Sequence, residues 1–360
     1  MSDDFLSHVD AARRNRNKIL HYVRKNGRVS RTDIWNNMNI SRASVTQIIR
    51  QLQEMDLIVE TGEKVASGRR MSRNLGFNGN ARCLYAFDWT TKLLCLVNIG
   101  GEILAKTSLS FPASCTPAAF ADVVLTGIRQ LSKKHPADPE HLLGLGIALP
   151  GLINCRDCTV LYSVELGWRD VDIRQLFSQD FGENIFLERT GNMVALGEYV
   201  FGAAQGIEHA ALILLENEGI GLSTVVHGSC QHGSNYMYGE LGHVKLPDST
   251  ICSCGQQGCL EAVVRKHLMH NGGIVDDALL EYISYGVAAA VNIADPGIVL
   301  LYGKFVRGLT AAQEEYLLGC IRKKITNIRS RNFHTFIRKD EQFMGIKGIS
   351  AYVFDNCFPD

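Results

Sequence analysis

The 360-residue chain reads as a two-lobed α/β body behind a small N-terminal winged helix-turn-helix module. Three observations predict this. Short amphipathic helices followed by two strands and a basic loop fill the first 78 residues. Apolar strands in β-β-β-α-β order begin after residue 80, and the same alternation returns beyond residue 209. Charge is divided along the same boundary. Residues 1–80 hold 14 Lys and Arg against 8 Asp and Glu, whereas the remaining 280 hold 23 against 29. A basic head on an acidic body, hidden under a net charge of zero, points to a nucleic-acid-binding module fused to a second function.

In the head, Ile19, Leu20 and Val23 share one face of a helix expected over 12–25, which Asn26-Gly27 ends. Ser30 offers an N-cap oxygen, with Asp33 three residues on as its capping-box partner. The second helix, over 31–37, carries Ile34 and Trp35. After the turn Met38-Asn39-Ile40, Ser41 caps a third helix with the apolar stripe Val45, Ile48, Ile49 and Leu52. A tight turn before the last of three short helices is the helix-turn-helix pattern. Strand 57–61, the basic stretch 62–73 and strand 74–77 form a β-wing. Arg42, Ser44, Thr46 and Gln47 lie off the apolar stripe and are the expected groove contacts, with Arg69 and Arg70 at the wing tip reaching a neighbouring minor groove. A linker is expected at about 76–82.

In the body, strands are expected at 84–87, 93–99 and 103–109, a helix at 117–134 and a buried strand at 142–149. Later strands at 210–215 and 222–226 flank the glycine turn Gly219-Ile220-Gly221, and a helix at 282–294 precedes strand 298–302. Two lobes with a cleft between them are the economical arrangement. Composition is 46% hydrophobic and 21% charged, which excludes disordered, collagen-like and coiled-coil chains. No window reaches the apolar length of a membrane span, and the polar N-terminus does not read as a secretory signal. A cytoplasmic location follows as an expectation, so the 11 cysteines read as thiols or metal ligands.

One constellation is specific. Gly239-Glu240-Leu241-Gly242-His243 is followed by Cys252-Ser253-Cys254-Gly255-Gln256-Gln257-Gly258-Cys259-Leu260-Glu261, placing one His and three Cys within 17 residues. Three thiolates and one imidazole saturate a tetrahedral zinc and leave no open position, so His243, Cys252, Cys254 and Cys259 are read as a structural site. Cys155-Arg156-Asp157-Cys158, a lone C-x-x-C, reads as a surface hairpin. Cys83, Cys95, Cys115, Cys230, Cys320 and Cys357 read as small apolar residues.

This block resembles the ROK family of sugar-responsive repressors and sugar kinases. So do Gly146-Ile147-Ala148-Leu149-Pro150-Gly151, Leu166-Gly167-Trp168, Glu188 and Asn192-x-x-Ala195-Leu196-Gly197-Glu198. Ile40-Ser41-Arg42-Ala43-Ser44-Val45-Thr46 is similar to the winged helix of the repressor branch. The resemblance implies an actin-like, sugar-kinase-type body over 79–190 and 191–360, its C-terminus returning to the first lobe, behind a DNA-binding head at 1–78. It implies operator DNA as partner, bound by a dimer or higher homo-oligomer under the control of a sugar, a sugar derivative or a protein partner. The family's phosphate-binding Asp-x-Gly-Gly-Thr is Asp88-Trp89-Thr90-Thr91 here, and its catalytic Asp position holds Thr190. Loss of both the phosphate glycines and the general base predicts no phosphoryl transfer. Glu165, Arg189, Asn192, Glu240, His243 and Glu261 occupy the positions implied to contact an effector. Glu165 and Arg189 replace neutral amides, which raises two alternatives: a direct ion pair across the pocket, or a grip on a charged ligand. The reading is thus a repressor of carbohydrate-metabolism genes. Its competitors are an active sugar kinase and a regulator released by a transport protein.

Overall fold

The computed structural model describes residues 8–67, 70–216, 219–339 and 343–360. The head consists of α1 (His8–Asn26), α2 (Arg31–Met38), α3 (Arg42–Glu54) and the antiparallel pair β1 (Ile58–Ser67) and β2 (Arg70–Phe77). Its caps follow from local chemistry. Ser30 Oγ accepts the Asp33 N–H at 3.1 Å while Asp33 Oδ2 accepts the Ser30 N–H at 2.8 Å. Asn39, with φ 53°, closes α2 in the left-handed region, and Ser41 Oγ accepts the Ser44 N–H. The predicted stripes of α1 and α3 are buried against each other. Val29 bridges Leu75 through two backbone hydrogen bonds, tying the helices to the wing. The wing strands run further than 57–61 and 74–77. Arg69 lies outside the described residues, and of Arg70 only the backbone, paired with Ser67, is described.

The first lobe carries β3 (Cys83–Asp88), β4 (Leu93–Asn98), β5 (Ile103–Ser108), α4 (Pro117–Lys134), β6 (Leu142–Leu149), β7 (Leu152–Asn154), β8 (Thr159–Ser163), β9 (Trp168–Asp172), α5 (Ile173–Phe181) and β10 (Ile185–Arg189). One sheet has the order β10-β6-β3-β4-β5, with β6 parallel to both neighbours, and β7-β8-β9 form a smaller sheet. α6 (Thr190–Phe201) leads to the second lobe: β11 (His209–Glu216), β12 (Gly219–Val226), β13 (Ser229–Cys230), α7 (Leu260–His270), α8 (Asp277–Ala294), β14 (Ile298–Tyr302), α9 (Lys304–Arg307), α10 (Ala311–Lys324) and β15 (His334–Ile337). Its sheet order is β13-β12-β11-β14-β15. The expected turn Gly219-Ile220-Gly221 is instead the start of β12, because Gly219 pairs with Glu216 and Gly221 with Leu214.

The chain ends in α11 (Met344–Cys357), which packs on α6 and on the first sheet. Gly197 and Gly348 permit this approach. A Cβ on Gly348 would lie 1.7 Å from the Met193 carbonyl oxygen, and one on Gly197 would lie 2.1 Å from that of Met344. Glu198, fully buried, fastens α6 to the second sheet by accepting hydrogen bonds from the Tyr302 hydroxyl, Arg338 Nε and the Ala203 N–H.

The head rests on the far end of α11. Arg24 Nη1 donates to Asp355 Oδ1 at 3.1 Å, and its guanidinium lies 4.2 Å from the Phe354 ring centre. Asn17 Nδ2 donates to the Pro359 carbonyl at 2.8 Å, and His21 Nε2 lies 2.6 Å from that of Phe358. Head and body therefore share one apolar core, running from Ile19, Leu20 and Val23 to Phe354 and Phe358.

Candidate functional site

The expected metal cluster assembles. Gly239, Gly255 and Gly258 take positive φ, which lets the loops fold back on themselves, and Cys259 caps α7. The ligand atoms of His243, Cys252, Cys254 and Cys259 all lie within 4.8 Å of one another. Cys252 Sγ is 3.8 Å from His243 Nδ1, and Cys254 Sγ is 3.6 Å from Cys259 Sγ. A tetrahedral zinc with these donors separates them by about 3.5–3.8 Å, which these two separations match. Lys245 Nζ donates to Cys259 Sγ at 2.9 Å. The Gln256 backbone N–H draws the Cys254 thiol below its usual range.

His243 links this cluster to the cleft. Its Nε2 lies 3.6 Å from Glu240 Oε2 and its Nδ1 lies 3.8 Å from Glu261 Oε1. Arg189 Nη2 donates to the Tyr238 carbonyl at 2.8 Å, and Nη1 stands 3.7 Å from Glu240 Oε1. Arg189, Glu240, His243 and Glu261 thus form one patch of donors and acceptors suited to hydroxyl recognition. Burial pushes the Glu240 carboxyl up, with Arg189 and His243 opposing it.

Glu165 stands apart from this patch. Its Oε1 accepts the Trp89 Nε1–H at 2.6 Å, and its charge acts on Lys92. The direct Glu165–Arg189 ion pair is therefore not formed. The 163–167 loop is instead joined to the Asp88 segment through this indole bond. Asn192 also has another place: fully buried, it donates to Glu188 Oε1 at 2.9 Å.

The Asp88 segment is closed on itself. Asp88 accepts hydrogen bonds from the Thr90 N–H at 3.2 Å and the Thr91 hydroxyl at 2.7 Å. Trp89 packs among Phe87, Phe111 and Phe120, with Lys92 Nζ 3.0 Å from its ring centre. Thr90 and Thr91 stand where a phosphate-binding turn of this kind has its glycines, and both are tied to Asp88. Thr190 sits buried at the first turn of α6.

In the head, Arg42, Thr46 and Gln47 are exposed on α3 and Ser44 is half-buried. The Arg42 guanidinium stacks 3.8 Å from the Trp35 ring centre, and the Thr46 hydroxyl donates to the Arg42 carbonyl. The stack holds the cation at the edge of the helix-turn-helix, where a phosphate or base edge can reach it.

Residues 90–267 match the ROK family, and residues 13–59 match the winged helix-turn-helix DNA-binding family. The body is a ROK family domain, and the head is a winged helix-turn-helix. A xylose repressor of Bacillus spizizenii is 27% identical over 251 residues, covering 69% of this chain and 64% of the repressor. The chain therefore spans just under two thirds of that relative's length. The DNA-binding transcriptional dual regulator NagC of Escherichia coli K12 is 24% identical over 316 residues, covering 86% of this chain and 75% of the regulator. Among solved structures, a ROK family transcriptional regulator homologous to the E. coli MLC protein superposes with a TM-score of 0.79 at 20% identity. That match covers 97% of this chain and 98% of the other. Among the described residues, no helix is long and apolar enough to cross a membrane.

The ROK body also holds a cluster that sequence reasoning missed. Residues 155–158 form the expected hairpin turn, between the antiparallel strands β7 and β8, and Cys155 also has partners across the lobes. Its Sγ is 3.7 Å from His232 Nε2, which in turn is 2.5 Å from Glu188 Oε2. The three residues are separated by 33 and 44 positions, so no local spacing betrays them. None of the 11 cysteines is joined to another by a disulfide.

Proposed function

We propose that this chain is a DNA-binding transcriptional repressor of carbohydrate-metabolism genes, with a ROK body that binds a sugar or sugar derivative and transfers no phosphate. The observation that carries the reading is the docking of α1 on α11. It leaves the polar face of α3 exposed while joining the head to the helix that packs on α6 and the first sheet. The resemblance to a xylose repressor over 69% of the chain and to the regulator NagC over 86% of it supports it. Arg42, Ser44, Thr46 and Gln47 read the groove, with Arg69 and Arg70 at the wing. Arg189, Glu240, His243 and Glu261 bind effector hydroxyls, and Glu165 and Asn192 shape the cleft around them. His243, Cys252, Cys254 and Cys259 hold a structural zinc, which fixes His243 so that Nε2 faces the cleft. A bound sugar changes lobe closure, α6 and α11 move as a pair, and the pairing of two heads in a homo-dimer or higher assembly changes with them. The protein works in the cytoplasm.

The experiment is a mobility-shift titration of the full chain on DNA from its own promoter, with and without candidate sugars. Arg42→Ala with Gln47→Ala weakens binding. It also lowers the slope of log affinity against log salt by about one, the counterion share of one lost cation. Unchanged affinity and slope would remove α3 from the interface.

A further inference from the structure

The Cys155, Glu188 and His232 cluster is separate from the Cys252–Cys259 centre and brings together three segments from two lobes. Cys155 follows β7, and Glu188 lies in β10 of the first lobe. His232 lies just beyond β13 of the second lobe. The three ligand atoms lie within 4.8 Å of one another. The same imidazole nitrogen, Nε2, faces both the Cys155 sulfur and the Glu188 oxygen. A thiol–imidazole–carboxylate relay needs the two partners on opposite ring nitrogens, so the cluster is not a nucleophile with its base. Three donors converging on one point are what a cation requires.

The donor types define the cation. A thiolate, an imidazole and a carboxylate suit zinc or a similar thiophilic divalent ion, and three protein ligands leave a fourth position open. Around a tetrahedral zinc, sulfur and nitrogen ligands stand about 3.5 Å apart and nitrogen and oxygen about 3.4 Å apart. The sulfur–nitrogen separation is already 3.7 Å, so loading the site asks only His232 to draw back from Glu188 by under an ångström. Glu188 is prepared for this. It is fully buried, and its Oε1 accepts the Arg189 N–H at 2.7 Å and the Asn192 Nδ2–H at 2.9 Å, which aims Oε2 at the cluster. The Cys155 loop is held by reciprocal bonds between Asn154 and Asp157 at 2.7 and 3.1 Å.

We propose that Cys155, Glu188 and His232 form a second, open metal site for a zinc-class divalent cation, which clips the two lobes together beside the effector cleft. Binding takes the proton from the Cys155 thiol and leaves the fourth position for water or a small ligand. The site adjoins α11 as well, since the Tyr352 hydroxyl reaches the carbonyl of Leu187, the residue before Glu188, at 3.5 Å. The proposal stands whether or not the chain binds DNA.

The test is zinc content of the full chain after equilibration with Zn2+ and removal of free ion, for wild type, Cys155→Ser, His232→Gln and Cys254→Ser. Cys155→Ser and His232→Gln each hold one equivalent fewer than wild type. With Co2+, Cys155→Ser shows a weaker thiolate charge-transfer band than wild type, and the same difference appears between Cys254→Ser and the double change Cys155→Ser, Cys254→Ser. Equal zinc in wild type, Cys155→Ser and His232→Gln overturns the proposal. If Cys155→Ser does not fold, His232→Gln, at a residue partly exposed in a loop, gives the same comparison.

Discussion

Arg24→Ala should loosen the head from the body. The Arg24 side chain is 11% exposed and that of Asp355 is 35% exposed, so their 3.1 Å ion pair lies between the surface and buried cases. An exposed pair contributes about 0.2–1 kcal/mol, whereas stranding one partner of a fully buried pair costs about 3–5 kcal/mol. The guanidinium also lies 4.2 Å from the Phe354 ring centre, a contact worth about 1 kcal/mol at this exposure. Arg24 Nη2 is buried without a partner, which already offsets part of the gain and keeps the estimate near the lower end. The total is about 2 kcal/mol, or about a 30-fold shift toward the undocked head. Asn17 and His21 keep their contacts with the C-terminal carbonyls, so the head remains folded and mostly docked. Amide hydrogen exchange checks this: protection should fall about 30-fold in the C-terminal half of α1 and the last turns of α11, with little change in α4 or α8. Arg24→Lys, which keeps the charge and loses the planar stack, should fall between. Unchanged protection at both helices in Arg24→Ala would refute the docking argument.

Further outcomes follow from the cleft. In a double-mutant cycle, Glu165→Ala and Arg189→Ala should be additive within about 0.5 kcal/mol, because each residue has its own partner; coupling above about 1 kcal/mol would show that they meet. Burial holds the Lys92 ammonium down at about 8, against the pull of Glu165 and Asp88. The unfolded chain therefore binds more protons than the folded one from about pH 8 up to the usual lysine range. Stability rises with pH across that window, and Lys92→Met should flatten the rise in denaturant melts. The full chain should release no ADP in a coupled assay with common hexoses, pentoses or amino sugars. Thr190→Asp should not restore turnover, since Thr90 and Thr91 still stand in place of the phosphate-loop glycines; turnover by either protein would refute this reading.

Local chemistry determined a large part of this molecule. Ser30, Asp33 and Ser41 mark helix starts by side-chain hydrogen bonds that span three residues, and the structure forms them where the sequence places them. The helix over 117–134 and the strand over 298–302 follow from apolar periodicity within one element. The His243, Cys252, Cys254 and Cys259 group was legible because its ligands fall in one short segment with glycines at the bends. The glycines Gly219 and Gly221 were misplaced for the same reason that such signals are weak. Glycine permits a turn without requiring one, and pairing with Leu214 and Glu216 draws these residues into a strand. What tertiary structure alone decided are the meetings of distant segments. Glu165 and Arg189 sit at positions that suggest an ion pair, yet one accepts the Trp89 indole N–H while Tyr238 and Glu240 hold the other. Cys155, Glu188 and His232 carry no pattern in the chain and become a cluster only because two sheets and α6 bring three loop and strand ends to one point. The contact of Arg24 with Asp355 spans 331 residues, and no periodicity or motif encodes a pairing over that distance. Propensity and capping act over a few residues, whereas the partner of a buried charge is chosen by which elements the whole core brings together.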